Sequence, residues 1–449
     1  MATLTVSRIL HAGYVFACED TRIAFDTIFE NPFSRNCHAF PDVRFDEALI
    51  RRQRFDAVFI SHFHDDHCSL ESLDLLDRAT PLYIYCLFDE LFDMVRELGF
   101  TNVHALRLNV PVDVGPFQVV PREAMDAEVD SMFQVRAAGL NVLNVVDSWI
   151  DDAALARLVA EKPWDLVLFP FQTMREIEVL APTRAEPTAH TLPALPEEWL
   201  EQLVALDPRF VVPSSCQFQL EPWSWYNRAF FPISYARFAQ EVQAVLPGAR
   251  VVRMDPSVSM ALDADGLRAA PPLEWVIPVG AQDVDYVYEG NADAPPTADI
   301  ARHFPALAAD QWARVLDFCR TGLADRYASL DDESDYFDSP RVWQLSIFDH
   351  AGEATRFRYR LAPGSADPVD DDGPLGWTTD IPAVKLYAAL ELGESLTSLY
   401  MRINDAVFDA DTERDLAQVD VVEDPLIRCL FSEGFGAYQR AQLRRLLAR

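Results

Sequence analysis

Four potential metal ligands stand within six residues of this chain, directly after a short apolar segment. The segment Ala57–Ile60 has the length and composition of a buried strand, and it runs into the pattern His-x-His-x-Asp-His formed by His62, His64, Asp66 and His67. Residues two apart in an extended segment project to the same side, so His62 and His64 can converge on one ion. Asp66 and His67, at the turn into the next helix, can face a second ion. Since imidazole and carboxylate are ligands of zinc and iron, the pattern predicts a metal pair.

Composition and charge narrow the class of protein further. Half of the 449 residues are hydrophobic, and 71 acidic against 38 basic residues give a formal net charge of −33. A field of that sign repels phosphate backbones and anionic lipid, so we expect neither nucleic acid nor a membrane surface as a partner. The seven cysteines are scattered without a C-x-x-C spacing, which disfavours a disulfide framework or a zinc knuckle. With no leader-like segment and no long apolar stretch, we expect a cytoplasmic protein.

The order of apolar and polar segments predicts the architecture. Strand-like and helix-like segments alternate through the first half, which indicates two sheets sandwiched between helices. The acidic turn Asp263-Ala264-Asp265-Gly266 and the pair Pro271-Pro272 interrupt this pattern. We therefore predict a metal-binding domain over residues 1–260 and a C-terminal α+β domain of unknown role over residues 261–449.

The histidine motif also carries a resemblance to a known family. The run His62-Phe63-His64-Asp65-Asp66-His67 after a strand resembles the signature of the metallo-β-lactamase superfamily. The segment Ile9–Tyr14 and the turn at Asp26 resemble the opening of the lactonase-like branch of that superfamily. The resemblance covers roughly residues 1–250 and implies an αββα sandwich with a dinuclear metal site. The motif is specific for fold and metal binding, and much less specific for the reaction.

The resemblance implies three further ligands, and this chain departs from the family at two of them. Asp147, after an apolar strand, matches the bridging aspartate, although it can also simply begin the following helix. The usual middle histidine is missing, and Glu123 is its natural replacement, with Asp126 as a weaker candidate. Ser214 stands where the late histidine belongs, which leaves His190 as the spare histidine of this half, either a ligand or an ordinary loop residue.

Other side chains are candidates for supporting roles. His11 and Asp26 can orient the ligands through hydrogen bonds, or can be ordinary buried polar groups. An aromatic segment with an arginine can line a pocket for a partly apolar anion, or can pack in the core. Its residues are Trp223, Trp225, Tyr226 and Arg228.

A carboxylate in place of an imidazole makes the site more anionic and richer in oxygen, which favours iron. The sequence, including the segment Phe210–Phe231, resembles most the diiron oxygenase-like branch of the superfamily, which includes the β-hydroxylase type of chloramphenicol biosynthesis and the CMP-N-acetylneuraminate hydroxylase type. This implies a diiron oxygenase that acts on a small or carrier-bound metabolite and receives electrons from an external donor. The implied iron ligands are His62, His64 and Glu123 for one ion, Asp66, His67 and His190 for the other, and Asp147 as the bridge, with Asp147 and Glu123 also serving in catalysis.

Two alternatives remain open at this point. The first is a zinc- or manganese-dependent hydrolase of the lactonase or phosphodiesterase type, in which the metals activate a bridging water. The second is a non-catalytic regulatory domain that retains the fold and part of the site. The two missing histidines are the reason to consider it.

Overall fold

The structure is a computed structural model that describes residues 3–180, 193–290, 292–330, 335–370, 373–431 and 435–449. Contacts between residues divide the chain into two units, which are described separately. The first unit comprises Met1–Met174, Thr191–Tyr288 and Gln442–Arg449, and the second comprises Arg175–His190 and Glu289–Ala441.

The described residues form the following elements. The strands are β1 (Leu4–Arg8), β2 (Tyr14–Cys18), β3 (Thr21–Phe25), β4 (His38–Ala39), β5 (Val43–Phe45), β6 (Ala57–Ile60), β7 (Leu82–Ile84), β8 (Val103–Ala105), β9 (Val112–Val114), β10 (Phe117–Glu123), β11 (Ser131–Ala137), β12 (Leu140–Asn144), β13 (Leu166–Pro170), β14 (Phe210–Ser214), β15 (Phe218–Gln219), β16 (Arg250–Val251), β17 (Ser259–Asp263), β18 (Gly266–Ala270), β19 (Val276–Pro278), β20 (Arg341–Phe348), β21 (Ala354–Ala362), β22 (Ser365–Pro368), β23 (Trp377–Pro382) and β24 (Arg402–Ile403). The α-helices are α1 (Glu47–Ile50), α2 (Leu70–Leu73), α3 (Asp89–Glu97), α4 (Asp152–Ala160), α5 (Glu176–Leu180), α6 (Glu197–Leu206), α7 (Tyr226–Ala229), α8 (Tyr235–Val245), α9 (Thr297–Ala301), α10 (Ala309–Asp317), α11 (Leu323–Tyr327), α12 (Ala383–Leu392), α13 (Ala410–Leu416), α14 (Pro425–Phe431) and α15 (Ala437–Leu447).

Two mixed sheets pack face to face in the first unit. The eight-stranded sheet has the order β18-β17-β1-β2-β3-β6-β7-β8, and the seven-stranded sheet has the order β16-β14-β13-β12-β11-β10-β9. Both sheets contribute side chains to one apolar core. Phe133 of the second sheet, for example, lies 5.1 and 6.0 Å from Phe25 and Phe59 of the first, measured between ring centroids.

Helices cover the outer faces of this pair of sheets. All five residues of β13 are buried, as expected for a strand covered on both sides. Leu166 and Leu168 point into the core between the sheets, whereas Phe169 packs against Trp199 of α6 with ring centroids 5.7 Å apart. The helices α4, α6 and α8, which connect the parallel strands β12, β13, β14 and β16, lie side by side. The predicted αββα sandwich is therefore confirmed.

The first unit extends further along the chain than predicted. Strand β17 pairs with β1, with Leu262 opposite Leu4, and β18 pairs with β17 at the edge of the same sheet. The acidic turn predicted to end the domain is the hairpin turn between β17 and β18. In it the Asp263 carboxylate accepts hydrogen bonds from the N–H groups of Asp265 and Gly266 at 2.9 and 3.1 Å. The predicted boundary at residue 260 is thus too early, because a turn signal alone does not distinguish a hairpin from a linker.

The second unit is an α+β structure, as predicted for the C-terminal region. Its sheet has the order β22-β21-β20-β23-β24, in which β20 runs antiparallel to β21 and parallel to β23. It has its own apolar core, which includes Trp343 and Trp377. No helix among the described residues is long and apolar enough to cross a membrane.

A buried carboxylate organises the core of the second unit. Asp424, directly before α14, accepts hydrogen bonds from the N–H groups of Leu426 and Ile427 at 2.9 and 3.1 Å. Its other oxygen accepts from the indole N–H of Trp377 at 2.7 Å and from the hydroxyl of Thr379. The side chain thereby ties the start of α14 to strand β23.

We predict that Asp424→Ala lowers the free energy of unfolding by about 3 kcal/mol, because it leaves buried donors without an acceptor. Urea denaturation followed by tryptophan fluorescence measures this loss. Asp367→Ala, which changes an exposed aspartate in β22, is the matched control and is expected to have little effect. Equal denaturation midpoints for the two variants would contradict the role assigned to Asp424.

Candidate metal centre

The motif residues lie where both sheets present the carboxyl ends of parallel strands. Strand β3 ends just before Asp26 and its parallel neighbour β6 ends just before Ser61-His62. In the second sheet, β12 ends shortly before Asp147 and the parallel strand β14 ends just before Ser215. Turns at the carboxyl ends of parallel strands are common ligand sites, because polar side chains from several strands converge there.

Two groups of potential metal ligands meet at this edge. The first consists of His62, His64 and Asp130, whose donor atoms all lie within 4.8 Å of one another. His62 Nε2 lies 3.0 Å from His64 Nδ1 and 3.8 Å from Asp130 Oδ1. His62 is buried, Asp130 is partly exposed and His64 is exposed, so solvent reaches one side of this group.

The second group consists of His11, Asp66, His67 and Asp147, again with donor atoms within 4.8 Å of one another. His67 Nε2 lies 3.0 Å from Asp147 Oδ2, and His11 Nε2 lies 3.2 Å from Asp66 Oδ2. The other oxygen of Asp147, Oδ1, lies 4.0 Å from His62 Nε2 in the first group. Asp147 therefore faces both groups, as a bridging ligand must.

The donor atoms fit a pair of cations. Donor atoms about 2.1 Å from one ion lie roughly 3.0–3.4 Å apart, and the shortest separations in both groups have this size. Asp130 Oδ1 and Asp147 Oδ1 are buried, yet neither takes part in a hydrogen bond with any described residue. Since a buried carboxylate oxygen is costly without a partner, these atoms are the ones that a metal ion would satisfy.

Hydrogen bonds behind the ligands fix the orientation of two histidine rings. The Asp26 carboxylate accepts the backbone N–H of Ser61 at 2.8 Å and its hydroxyl at 2.7 Å. The same carboxylate lies 3.1 Å from His67 Nδ1, and Ser61 Oγ lies 2.9 Å from His62 Nδ1. Such bonds at Nδ1 direct Nε2 towards the metal position. The expectation that Asp26 orients ligands agrees with this geometry.

The electrostatics of the site also favour a cation. Burial lowers the pKa of His62 well below its usual value, and neighbouring His67 adds to this, so the His62 ring is neutral. Burial raises the pKa of Asp130 to about 7, and the charge of Asp147 adds to the shift. Burial alone would raise the pKa of Asp147, but His67 outweighs it and holds that pKa below its usual range. Without a metal, the negative charges of these carboxylates are thus compensated by bound protons and by His67.

Several turns around the site hold non-glycine residues in the left-handed region of backbone conformation. The residues are His11 (φ 52°), Asp26 (40°), Val146 (66°), Ser215 (57°) and Cys216 (49°). This conformation is uncommon for such residues, and most unusual for a β-branched one such as Val146. Strained residues persist where the surrounding structure fixes them, and they cluster at functional sites.

The structure places Glu123 away from both ligand groups. Its carboxylate pairs with the guanidinium of Arg157 at the end of β10. The loop from β10 to β11 instead brings Asp130 to the histidines, while Asp126, the weaker candidate, is exposed. Among the described residues, the potential ligands therefore include Asp130 and not the predicted Glu123. The signal in the sequence that could have indicated Asp130 is its position directly before strand β11.

The sequence also predicts a late histidine ligand. His190 lies outside the described residues. His11, expected only to orient ligands, lies among the donor atoms of the second group. Ser214 Oγ lies 2.9 Å from the hydroxyl oxygen of Tyr14 and is not in either group.

The aromatic segment is largely packed. Trp225 and Tyr226 are buried, Trp223 is partly exposed and Arg228 is exposed. Tyr226 stacks on Phe230 with ring centroids 5.9 Å apart. A substrate-binding role for these four residues stays a prediction.

No protein-family model matches the chain, and no curated protein matches its sequence. Solved structures similar to the chain include a metallo hydrolase from Ignicoccus hospitalis, the diiron β-hydroxylase CmlA from Streptomyces venezuelae and an isothiocyanate hydrolase from Delia radicum gut bacteria. Their sequence identities are 16%, 18% and 12%, their TM-scores are 0.39, 0.38 and 0.41, and each alignment covers 58% of this chain. The alignments cover 99% and 100% of the two hydrolases, whereas the chain spans about half of CmlA, 54%.

Structural similarities at these TM-scores do not indicate the activity of this chain. The fold follows from the molecule itself: two mixed sheets between helices, with the His-x-His-x-Asp-His motif directly after strand β6. The first unit is an αββα sandwich, as the resemblance of the sequence to the metallo-β-lactamase superfamily implies, and it carries two adjacent groups of potential metal ligands.

We predict that the double substitution His62→Ala and His64→Ala removes at least one of two bound metal ions per chain, because both imidazoles of the first group are lost. Elemental analysis of purified protein measures the content, and circular dichroism checks the fold. His104→Ala, which changes an exposed histidine in β8, is the control and is expected to retain both ions. Full metal content in the double variant would contradict the assigned site.

Proposed function

We propose that the protein is a dinuclear iron oxygenase that hydroxylates or otherwise oxidises a small or carrier-bound metabolite. One observation carries this proposal: the first ligand group combines two imidazoles, of His62 and His64, with one carboxylate, of Asp130. Two histidines and one carboxylate, with further coordination positions open, are typical of non-haem iron sites that activate dioxygen.

The charge of the complete site supports the same choice of metal. Asp66, Asp130 and Asp147 supply three carboxylates, and their side chains are 21–24% exposed. An anionic, oxygen-rich set of ligands suits a hard and easily oxidised metal better than it suits a zinc pair. Because His64 is exposed and Asp130 is partly exposed, a substrate can approach from the side of the first group.

A hydroxylation of this kind has a defined balance. One atom of dioxygen enters a C–H bond of the substrate and the other leaves as water, which consumes two electrons and two protons. Reduced iron, when bound, supplies the electrons that activate dioxygen, and an external electron donor restores them.

Residues of the chain fix the orientation of the metal ligands and shield one side of the site. Asp26 and Ser61 fix the rings of His62 and His67, and Asp147 faces both ligand groups. Phe33 and Phe218 lie beside His11, with ring centroids at 5.5 and 6.2 Å, and form an apolar wall on that side of the site. An apolar wall excludes water and strengthens the electrostatic interactions inside.

The rival is a zinc- or manganese-dependent hydrolase at the same residues. Its favouring observation is the second group, in which two imidazoles and two carboxylates lie together. In that case the metals would lower the pKa of a bound water and polarise a scissile bond. The identity of the metal separates the two proposals.

We predict that wild-type protein expressed with equal iron and zinc in the medium retains mainly iron. Asp130→His should shift the bound metal towards zinc, because it replaces a hard anionic donor with an imidazole. Glu123→His makes the same chemical change at a residue that pairs with Arg157 outside the ligand groups, so its metal content should match wild type. Elemental analysis of the three proteins, with visible absorption for iron, gives the comparison.

Two results would overturn the proposal. Wild-type protein that is fully occupied by zinc under these conditions would make the hydrolase the leading function. A shift of metal preference in Glu123→His but not in Asp130→His would show that Glu123 is the ligand.

A further inference from the structure

The turn that carries His11 is held firmly at the metal centre. The N–H of Ile9 donates to the carbonyl of Gly13 at 2.8 Å, and the N–H of Gly13 donates to the carbonyl of Leu10 at 2.7 Å. A Cβ atom at Gly13 would lie 2.5 Å from the carbonyl oxygen of Asp26, so only glycine allows this approach. Buried Arg8 clamps the turn by donating to the carbonyl of His11. The position of the His11 ring is therefore set by the fold.

The two neighbouring buried histidines each carry a proton on Nδ1, which leaves Nε2 as the nitrogen that a metal can bind. Ser61 donates its hydroxyl hydrogen to Asp26, so Ser61 Oγ can only accept from His62 Nδ1. The Asp26 carboxylate likewise accepts from His67 Nδ1 at 3.1 Å. Both rings can then present an Nε2 lone pair, which is the arrangement that a metal requires.

His11 has the opposite arrangement. The backbone N–H of Cys216 donates to His11 Nδ1 at 2.9 Å. A backbone amide nitrogen cannot accept a hydrogen bond, so His11 Nδ1 carries the lone pair and the single proton of the neutral ring is on Nε2. Coordination of a metal through Nε2 would require that both ring nitrogens be without hydrogen.

We infer that His11 is not a metal ligand but a hydrogen-bond donor to an anionic oxygen held at the second metal, such as a hydroxide or a substrate carboxylate. The inference rests on the dinuclear site of the proposed function. The second metal would then have Asp66, His67 and Asp147 as its protein ligands and an open position facing His11.

The distances around His11 place its Nε2–H group beside the donor atoms of the second group. His11 Nε2 lies 3.1 Å from His67 Nε2, 3.2 Å from Asp66 Oδ2 and 3.9 Å from Asp147 Oδ2. A ligand atom that completes the coordination of a metal between these donors lies within hydrogen-bond reach of the Nε2–H group. The oxygen would need to be anionic or strongly polarised, since the N–H can only donate.

The first test determines which ring nitrogen of each histidine carries hydrogen in wild-type protein. In zinc-loaded protein with ¹⁵N-labelled histidine, NMR correlation spectra should show His11 protonated on Nε2 and unprotonated on Nδ1. His62 and His67 should show the reverse, with Nε2 bound to zinc. The spectrum of His11→Gln assigns the His11 signals by their absence. A zinc-bound His11 Nε2 would overturn the inference.

The second test uses metal content and a carboxylate probe. Wild type, His11→Gln and His11→Ala should each retain two zinc ions per chain, whereas His67→Ala should lose one. In cobalt-loaded protein, the dissociation constant for acetate should rise about tenfold or more in His11→Ala, because a hydrogen bond to a charged group is lost. It should stay within a few-fold of wild type in His11→Gln, whose amide N–H can replace the donor.

The outcomes separate this inference from the proposed function. Loss of one metal ion in both His11 variants, or equal acetate binding by all three proteins, would overturn the role of His11. Wild-type protein that binds no metal pair would instead remove the dinuclear site itself, and with it the proposed function.

Discussion

The mutual repulsion of three carboxylates is the constraint on which the site depends. Asp66 and Asp147 converge with His67, and burial, together with the nearby charge of Asp147, raises the pKa of Asp130 to about 7. Water cannot fully compensate these charges, because each carboxylate is at most about one quarter exposed. Two divalent ions, one in each ligand group, would balance them and would also satisfy the buried oxygens of Asp130 and Asp147 that form no hydrogen bond with a described residue.

The sandwich supplies the rigidity that this arrangement needs. Left-handed turns at the ends of β12 and β14 aim Asp147 and the N–H of Cys216 into the site. Each such turn costs on the order of 1 kcal/mol, and the apolar core shared by both sheets offsets the strain. Because the side chains are held in fixed positions, the hydrogen-bond partner of each histidine determines which ring nitrogen carries hydrogen. His11 and His67 lie side by side, yet Nδ1 accepts a hydrogen bond from Cys216 in His11 and donates one to Asp26 in His67.

The sequence predicted the parts of the molecule that depend on local pattern. The motif from His62 to His67 follows β6, which the apolar run Ala57–Ile60 predicted correctly. Asp147 follows another predicted strand, β12, so the sequence indicated the positions of both. Glu123 and Asp126 were predicted and Asp130 was missed, because spacing along the chain does not show how the loop between β10 and β11 folds back. The domain boundary was misplaced for a similar reason, since the pairing of β17 with β1 joins distant segments.

The role inferred for His11 could not be predicted from the sequence, which indicated only that His11 can orient the ligands or be an ordinary buried polar group. It depends on a hydrogen bond to a backbone amide 205 residues away and on a left-handed turn without a glycine at that position. Sequence pattern shows which residue types are present, but the proton positions of a histidine follow only from its partners in three dimensions.

Anomalous X-ray diffraction from crystals of the protein as purified would show whether two iron ions bind at these residues. Data collected on both sides of the iron and zinc absorption edges locate each metal and identify its element. We predict two adjacent iron positions, one bound by His62, His64 and Asp130 and the other by Asp66 and His67, with Asp147 between them. A single metal position, or a metal bound by Glu123 in place of Asp130, would contradict it.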